Sequence, residues 1–452
     1  MELSFLGGAG TVTGSKYLVQ SEDTKVLIDC GLFQGLKQLR LLNWEPLPFT
    51  AREVHAVILT HAHLDHCGAL PLLFKAGFRG RVYCTTATLE LTKIILLDSA
   101  KIQEEEADYA NRKRFSKHDP ALPLYTTEEV ENIFASFHAV PLHEPFEIKH
   151  LQVRLFGAGH ILGATSVELK AEGKTLYFSG DLGRQNDPLM LPPEAPQQAD
   201  VLIMESTYGN RSHSKKTSRE VLLECIHQTK KNQGVLLIPS FSVGRAQNLA
   251  HEIVQLKNEG AVDANIPVYF NSPMGMAANR LYEEYPEFHR LPPGAFDEVM
   301  DQVREVRSAE ESKALNESLQ RPMIIIAASG MLTGGRVLHH VRAFASDPKN
   351  ILLLAGFQAA GTRGRDLADG KNEIKIHGAL RKVSCQVINS DSFSAHADQD
   401  ELVKWFSSAP ALPKKIFLVH GEPEALTGLA EKLQSEFKVD VQIPEINGSI
   451  SI

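Results

Sequence analysis

The stretch LTHAHLDHCGAL, residues 59–70, places His61, His63, Asp65 and His66 within six positions, directly after the apolar run VHAVIL. A strand that runs into a tight turn can aim side chains two apart, and their neighbours, at two closely spaced points. Neutral imidazole with carboxylate is a donor set for zinc, whereas an all-oxygen set would favour magnesium or calcium. Two more donors stand in the same setting, after an apolar strand and beside glycine: His160 in LFGAGHILGA and Asp181 in LYFSGDLG. Alone, either reads as structural. With the cluster they complete a two-ion set, because one carboxylate can give an oxygen to each of two cations. Asp29, closing KVLIDCG, is expected beneath the cluster, where it would accept hydrogen bonds from the imidazoles and fix their tautomers.

These donors need a scaffold of strands that end together. Short β-like runs (LSFL, KYLVQ, KVLID, VHAVILT) fill the first 60 residues, and a helical pattern from Ala87 through Ala110 follows, ending in the basic stretch 111–118, read as a solvated helix end. A second strand-rich block, LQVRLFGAGH to DVLIMES, mirrors the first. From about residue 209 the rhythm becomes strand, small-residue loop, helix, as in GVLLIPSFSVGRAQNLAHEIVQ and PMIIIAASGMLTGGRVLHHVRAF. Repeated, that unit predicts a parallel sheet with flanking helices. The earlier style returns with QVINSDSFSAHAD and KKIFLVHGE. The expected organisation is one α/β domain, residues 1–208 and 379–452, interrupted by another over 209–378.

Composition restricts the partners. The net charge of -8 excludes a generally basic nucleic-acid coat but leaves room for a local basic groove. Five cysteines, never spaced as CxxC, fit a reducing compartment. Neither a signal segment nor a membrane span is expected, so the location expected is cytoplasmic. GxxxxGK[ST] does not occur, and no ATP site is expected.

Asp29, His61-Ala-His63-Leu-Asp65-His66, His160 and Asp181 together resemble the metallo-β-lactamase superfamily, over the first 205 residues and the last 70. The fold implied is its four-layer αββα sandwich. Three further residues narrow the resemblance: Glu205 in ESTYGNR, His396 in DSFSAHAD and His420 in FLVHGE, with a helical unit inserted between the first two. This arrangement is similar to the β-CASP nucleases, which include RNase J, archaeal homologues and the nuclease subunit of cleavage and polyadenylation specificity factor. The loops PSFSVGRAQ, ASGMLTGGR and GFQAAGTRGR extend the likeness through the inserted domain.

The resemblance implies two zinc ions per chain, one held by His61, His63, His160 and Asp181, the other by Asp65, His66, Asp181 and His420. It implies hydrolysis of RNA phosphodiester bonds by a hydroxide between the ions, as endonuclease or 5′ exonuclease. Asp65, His396 and Glu205 would be catalytic, His396 protonating the leaving oxygen while Glu205 holds its ring. The last ligand position is histidine in RNA-cleaving members and valine in the DNA-repair branch related to Artemis, so His420 implies RNA. Ser329, Gly330, Arg336, Arg363 and Arg365 are the expected phosphate contacts, on small-residue loops whose N–H groups can approach an anion. Two other readings stay open: a zinc hydrolase of a small phosphodiester, ester or thioester, and a catalytically silent RNA-binding subunit. A homodimer is also left open.

Overall fold

A computed structural model describes every residue from 1 to 452 except Phe115, which lies within the basic stretch 111–118. The chain forms two compact units: Met1–Asn186 with Leu191–Ser212 and His396–Ile452, and Asp187–Met190 with His213–Ala395. The first takes the two separated segments that the sequence assigned to one α/β domain, and the second is the unit inserted between them.

Two seven-stranded sheets make the first unit. One runs, in spatial order, Gly448–Ser451, Glu2–Gly7, Lys16–Ser21, Thr24–Ile28, Ala56–Ile58, Arg81–Cys84 and Phe137–Ala139; the other Asp440–Gln442, Lys415–Val419, Val201–Glu205, Lys174–Phe178, Thr165–Ala171, Leu151–Gly157 and Phe146–Ile148. Residues alternate along each strand, so Leu3, Phe5, Val19, Val26 and Ile28 of the first sheet meet Val153, Leu155, Val167, Leu169 and Phe178 of the second in one core. The predicted helix over 87–110 spans Thr86–Lys113, with the Thr85 hydroxyl accepting from the Thr88 N–H at its start.

The end of the chain is structurally part of this unit. Lys415–Val419 pairs in parallel with Val201–Glu205, and Gly448–Ser451 pairs with Glu2–Gly7. As a result Ile28, Ile58, Phe178, Glu205 and Val419 end their strands just before Asp29, His61, Asp181, Thr207 and His420. Residues far apart in sequence share one rim because parallel neighbours finish on the same side.

In the second unit six parallel strands are ordered Arg304–Glu305, Val268–Asn271, Met323–Ala327, Val235–Pro239, Ile351–Ala355 and Gln386–Ser390. Apolar cores cover both faces, which is why the central strands are near-continuous Val, Ile and Leu. One boundary differs from the sequence reading. Gln386–Ser390 was assigned there to the returning segment from 379, but it is hydrogen-bonded to Ile351–Ala355 as the edge of this sheet. The polar edge strand QVINS carries little hydrophobic signal, so only its pairing reveals its side.

All five cysteines are buried thiols. Among the described residues no helix is long and apolar enough to cross a membrane.

Candidate metal centre

Two groups of donors meet at the strand ends of the first unit: His61, His63, His160 and Asp181, and Asp65, His66 and His420. The turn after Ala56–Ile58 delivers four of them, and the short helix Leu64–Cys67 presents Asp65 and His66. His61 Nε2 lies 3.2 Å from His63 Nδ1, and His160 Nε2 lies 3.1 Å from the same atom. His66 Nε2 and His420 Nε2 are 3.3 Å apart, and Asp65 Oδ2 is 3.5 Å from the latter. Asp181 stands between the groups, with Oδ2 3.5 Å from His61 Nε2 and 3.7 Å from His160 Nε2, and Oδ1 3.4 Å from His66 Nε2.

These separations test whether a metal fits. Zinc–nitrogen bonds of 2.0–2.1 Å in a tetrahedron put ligand atoms about 3.3 Å apart. The imidazole nitrogens already stand at that spacing, and nitrogen-rich donors with carboxylate suit zinc. Three imidazole nitrogens and a carboxylate converging in a buried space want a cation at their centre.

The buried surroundings prepare the donors. His61 and His66 are at most 1 % exposed. Burial pushes the imidazoles of His61 and His63 down, the latter to about 4, so both are neutral at pH 7 with lone pairs available. Burial also opposes charge on His66, but Asp181 and Asp29 outweigh it and hold that imidazole well above its ordinary value. The Asp181 carboxyl stays well below the usual range, because the surrounding His420, His66 and His61 outweigh its burial.

Asp29 lies beside the turn, with Oδ2 2.7 Å from His66 Nδ1. The same carboxylate accepts from the Thr60 N–H at 2.7 Å and from the Thr60 hydroxyl at 2.8 Å, and that hydroxyl lies 3.0 Å from His61 Nδ1. Asp29 and Thr60 therefore tie down the Nδ1 side of both rings and turn each Nε2 toward the other donors. Thr60 escaped the sequence reading; its only signal is its place immediately before the histidine pair. Lys16 was missed too. It is buried, its ammonium donates to the carbonyls of Gly14 and Gly31 over the Phe33 ring, and burial pulls it down to about 8.

Gly31 is needed for close approach, since a Cβ there would fall inside the Asp65 carbonyl. Gly31→Ala should push the 61–66 turn away from Asp29. We expect a loss of roughly 1–3 kcal/mol from overpacking and a marked fall in bound metal, measured by calorimetry and elemental analysis. Unchanged metal content would refute the role of this contact.

His396 and Glu205 stand beside the donors. His396 Nδ1 is 3.2 Å from Glu205 Oε1, and its ring centroid is 4.4 Å from that of His160. Glu205 is buried and held in place by the Leu182 N–H at 2.6 Å and the Thr207 N–H at 3.2 Å. His396 is the more open of the pair, with its side chain 15 % exposed.

The five expected phosphate contacts lie in the second unit and are occupied with structure there. Arg336 donates to Asn271 Oδ1 and the Val306 carbonyl, each at 2.8 Å, and to the Arg307 carbonyl. Arg363 donates to the carbonyls of Leu332, Thr333 and Lys375. Arg365 pairs with Asp369 one helical turn on. Ser329 Oγ accepts from the N–H groups of Thr333 and Gly334, and Gly330 packs against Phe241. The small-residue loop leaves carbonyls that helices and strands do not pair, and the Arg363 guanidinium pairs those of Leu332 and Thr333.

Comparison with known proteins agrees with this geometry. The metallo-β-lactamase superfamily matches residues 9–227, the Beta-Casp domain residues 246–367, and the Zn-dependent metallo-hydrolase RNA specificity domain residues 381–444. The chain is 36% identical over 448 residues to Ribonuclease TTHA0252 of Thermus thermophilus, covering 96% of each chain. It is 32% identical to the Transcription termination factor FttA of Methanocaldococcus jannaschii, covering 98% of this chain and 70% of that one. It is 30% identical to an RNase J-like protein of the same organism, covering 99% of both. A crystal structure of a protein of unknown function from Enterococcus faecalis V583 shares the fold, with a TM-score of 0.55 at 14% identity over 99% of each chain. The chain belongs to the β-CASP group of the metallo-β-lactamase superfamily.

Proposed function

We propose that this chain is a zinc-dependent ribonuclease that hydrolyses RNA phosphodiester bonds. The observation that carries the reading is the pair of donor groups sharing Asp181, with His396 held on Glu205 at their edge. His61, His63, His160 and Asp181 would hold one zinc ion, and Asp65, His66, Asp181 and His420 a second. Bound there, the ions would supply a nucleophile from water at neutral pH and positive charge against the non-bridging phosphate oxygens.

The remaining work falls to the chain's own side chains. As the phosphorus–oxygen bond to the leaving group breaks, the departing alkoxide needs a proton. Glu205 accepts a hydrogen bond from His396 Nδ1, which turns Nε2 of that ring outward as the donor. The Leu182 and Thr207 N–H groups on Glu205 keep it from swinging away. RNA as substrate is supported by His420 in the last ligand position and by the ribonuclease names of two relatives.

The test is cleavage of one RNA labelled at either end, beside the matching DNA, by protein loaded with zinc and by protein stripped with EDTA. Cleavage of RNA by the zinc-loaded protein alone supports the reading; internal fragments mark an endonuclease and mononucleotides an exonuclease. Intact RNA despite bound zinc would overturn it in favour of a small phosphodiester.

A further inference from the structure

Thr207, in the turn after Val201–Glu205, is buried, and its side chain lies outside the donor groups. Its hydroxyl lies 3.1 Å from His420 Nδ1 and 3.3 Å from the carbonyl oxygen of the same residue. A hydroxyl has one proton and two lone pairs, and a carbonyl can only accept. With the Thr207 proton on the His420 carbonyl, the lone pair facing Nδ1 can accept an N–H from the ring. That leaves His420 Nε2 bare, on the side that faces His66 Nε2 at 3.3 Å and Asp65 Oδ2 at 3.5 Å.

The other acceptor near Nδ1 is Asp181 Oδ1, at 3.4 Å. It is farther than the hydroxyl, and it belongs to the carboxylate that both donor groups share. A second feature points the same way. His420 has φ +49°, in the left-handed region, where non-glycine residues are uncommon and persist only when their surroundings fix them. The fixing bonds run from the His420 N–H to the Gly8 carbonyl at 2.6 Å, and from the Ser206 N–H and the Thr207 hydroxyl to the His420 carbonyl. Among the described residues Thr207 is the one whose side chain meets both the backbone and the ring of His420.

We propose that Thr207 is a positioning residue for the second donor group: its hydroxyl selects the His420 tautomer with Nε2 available to a metal ion and holds the ring at the angle the group needs. Together with Glu205, two residues earlier, it makes one short turn orient both histidines that the C-terminal segment delivers. The proposal rests on the metal-binding reading, and its experiment separates the two.

Thr207→Val keeps the shape and removes the hydroxyl, whereas Thr207→Ser keeps the hydroxyl. Titrating the zinc-loaded proteins with a chromophoric chelator should show one ion bound about 10–100-fold more weakly in the valine variant, the other unchanged, and the loss largely restored by serine. Long-range proton–nitrogen spectra of the metal-free proteins give a readout independent of any ion. The His420 ring should be protonated at Nδ1 in the parent and serine forms and mixed in the valine form. Two ions held as tightly by Thr207→Val as by the parent would overturn the proposal, and so would a parent ring protonated at Nε2. If the valine variant does not fold, the parent and serine spectra still decide the tautomer. A parent that binds no metal would sink the ribonuclease reading, while the same spectra would still judge Thr207.

Discussion

If Asp181 is the shared ligand of the proposed centre, Asp181→Asn should empty both donor groups at once and reduce RNA cleavage by on the order of 10³-fold or more, since the charge it removes would serve both ions. The carboxylate reaches His61 and His160 with one oxygen and His66 and His420 with the other. Asparagine has nearly the same shape, but it offers one neutral oxygen and an amide that can only donate. Five imidazoles then stand close together without the buried negative charge that balances a cation. The measurement is metal content by elemental analysis, with cleavage of labelled RNA, on protein whose thermal midpoint without metal is also recorded. A midpoint near that of the stripped parent shows that the fold survives, and the loss then belongs to the site. Two ions and parental turnover in the variant would refute the shared-ligand assignment.

The sequence discloses this centre unevenly, and for physical reasons. His61, His63, Asp65 and His66 are legible because a strand end and a tight turn confine them to six positions, so spacing alone implies convergence. Asp29, His160 and Asp181 are legible as strand-end residues beside glycine, although nothing local says that their strands end at one rim. Glu205, His396 and His420 come from separate segments, and the resemblance linked them before any pattern within the chain could. The pairing of Lys415–Val419 with Val201–Glu205 then supplies the physical link. Thr60, Thr207 and Lys16 are illegible for a different reason: a single hydroxyl or a single lysine beside a strand has no period, and its role exists only in its partners. Arg336 and Arg363 are ambiguous in sequence for another reason, because cations beside a glycine-rich loop look alike whether they meet phosphate or carbonyl oxygens of the chain itself. The parallel sheet of the second unit, by contrast, was implied by local rhythm, with Gln386–Ser390 misassigned because its residues carry almost no apolar pattern.

His396→Ala should keep both ions and still lose about 10²–10⁴-fold in the rate of RNA cleavage, the range attributed to a general acid. His396 is grouped with Asp181 and Glu205 rather than with the other imidazoles, so its removal leaves His61, His63, Asp65, His66, His160, Asp181 and His420 in place. What disappears is the ring that Glu205 orients at 3.2 Å. A ribose alkoxide is a poor leaving group and depends on that proton, whereas a nitrophenolate leaves without one. The variant should therefore cleave a nitrophenyl phosphodiester at close to the parental rate while failing on RNA, and Glu205→Gln, which weakens the hold on His396, should fall between on RNA alone. Comparing kcat for the two substrates across the three proteins, each with its metal content determined, separates proton donation from positioning of the phosphate. An equal loss on both substrates would assign His396 to substrate binding instead, and normal turnover of RNA by the fully loaded variant would remove it from the chemistry.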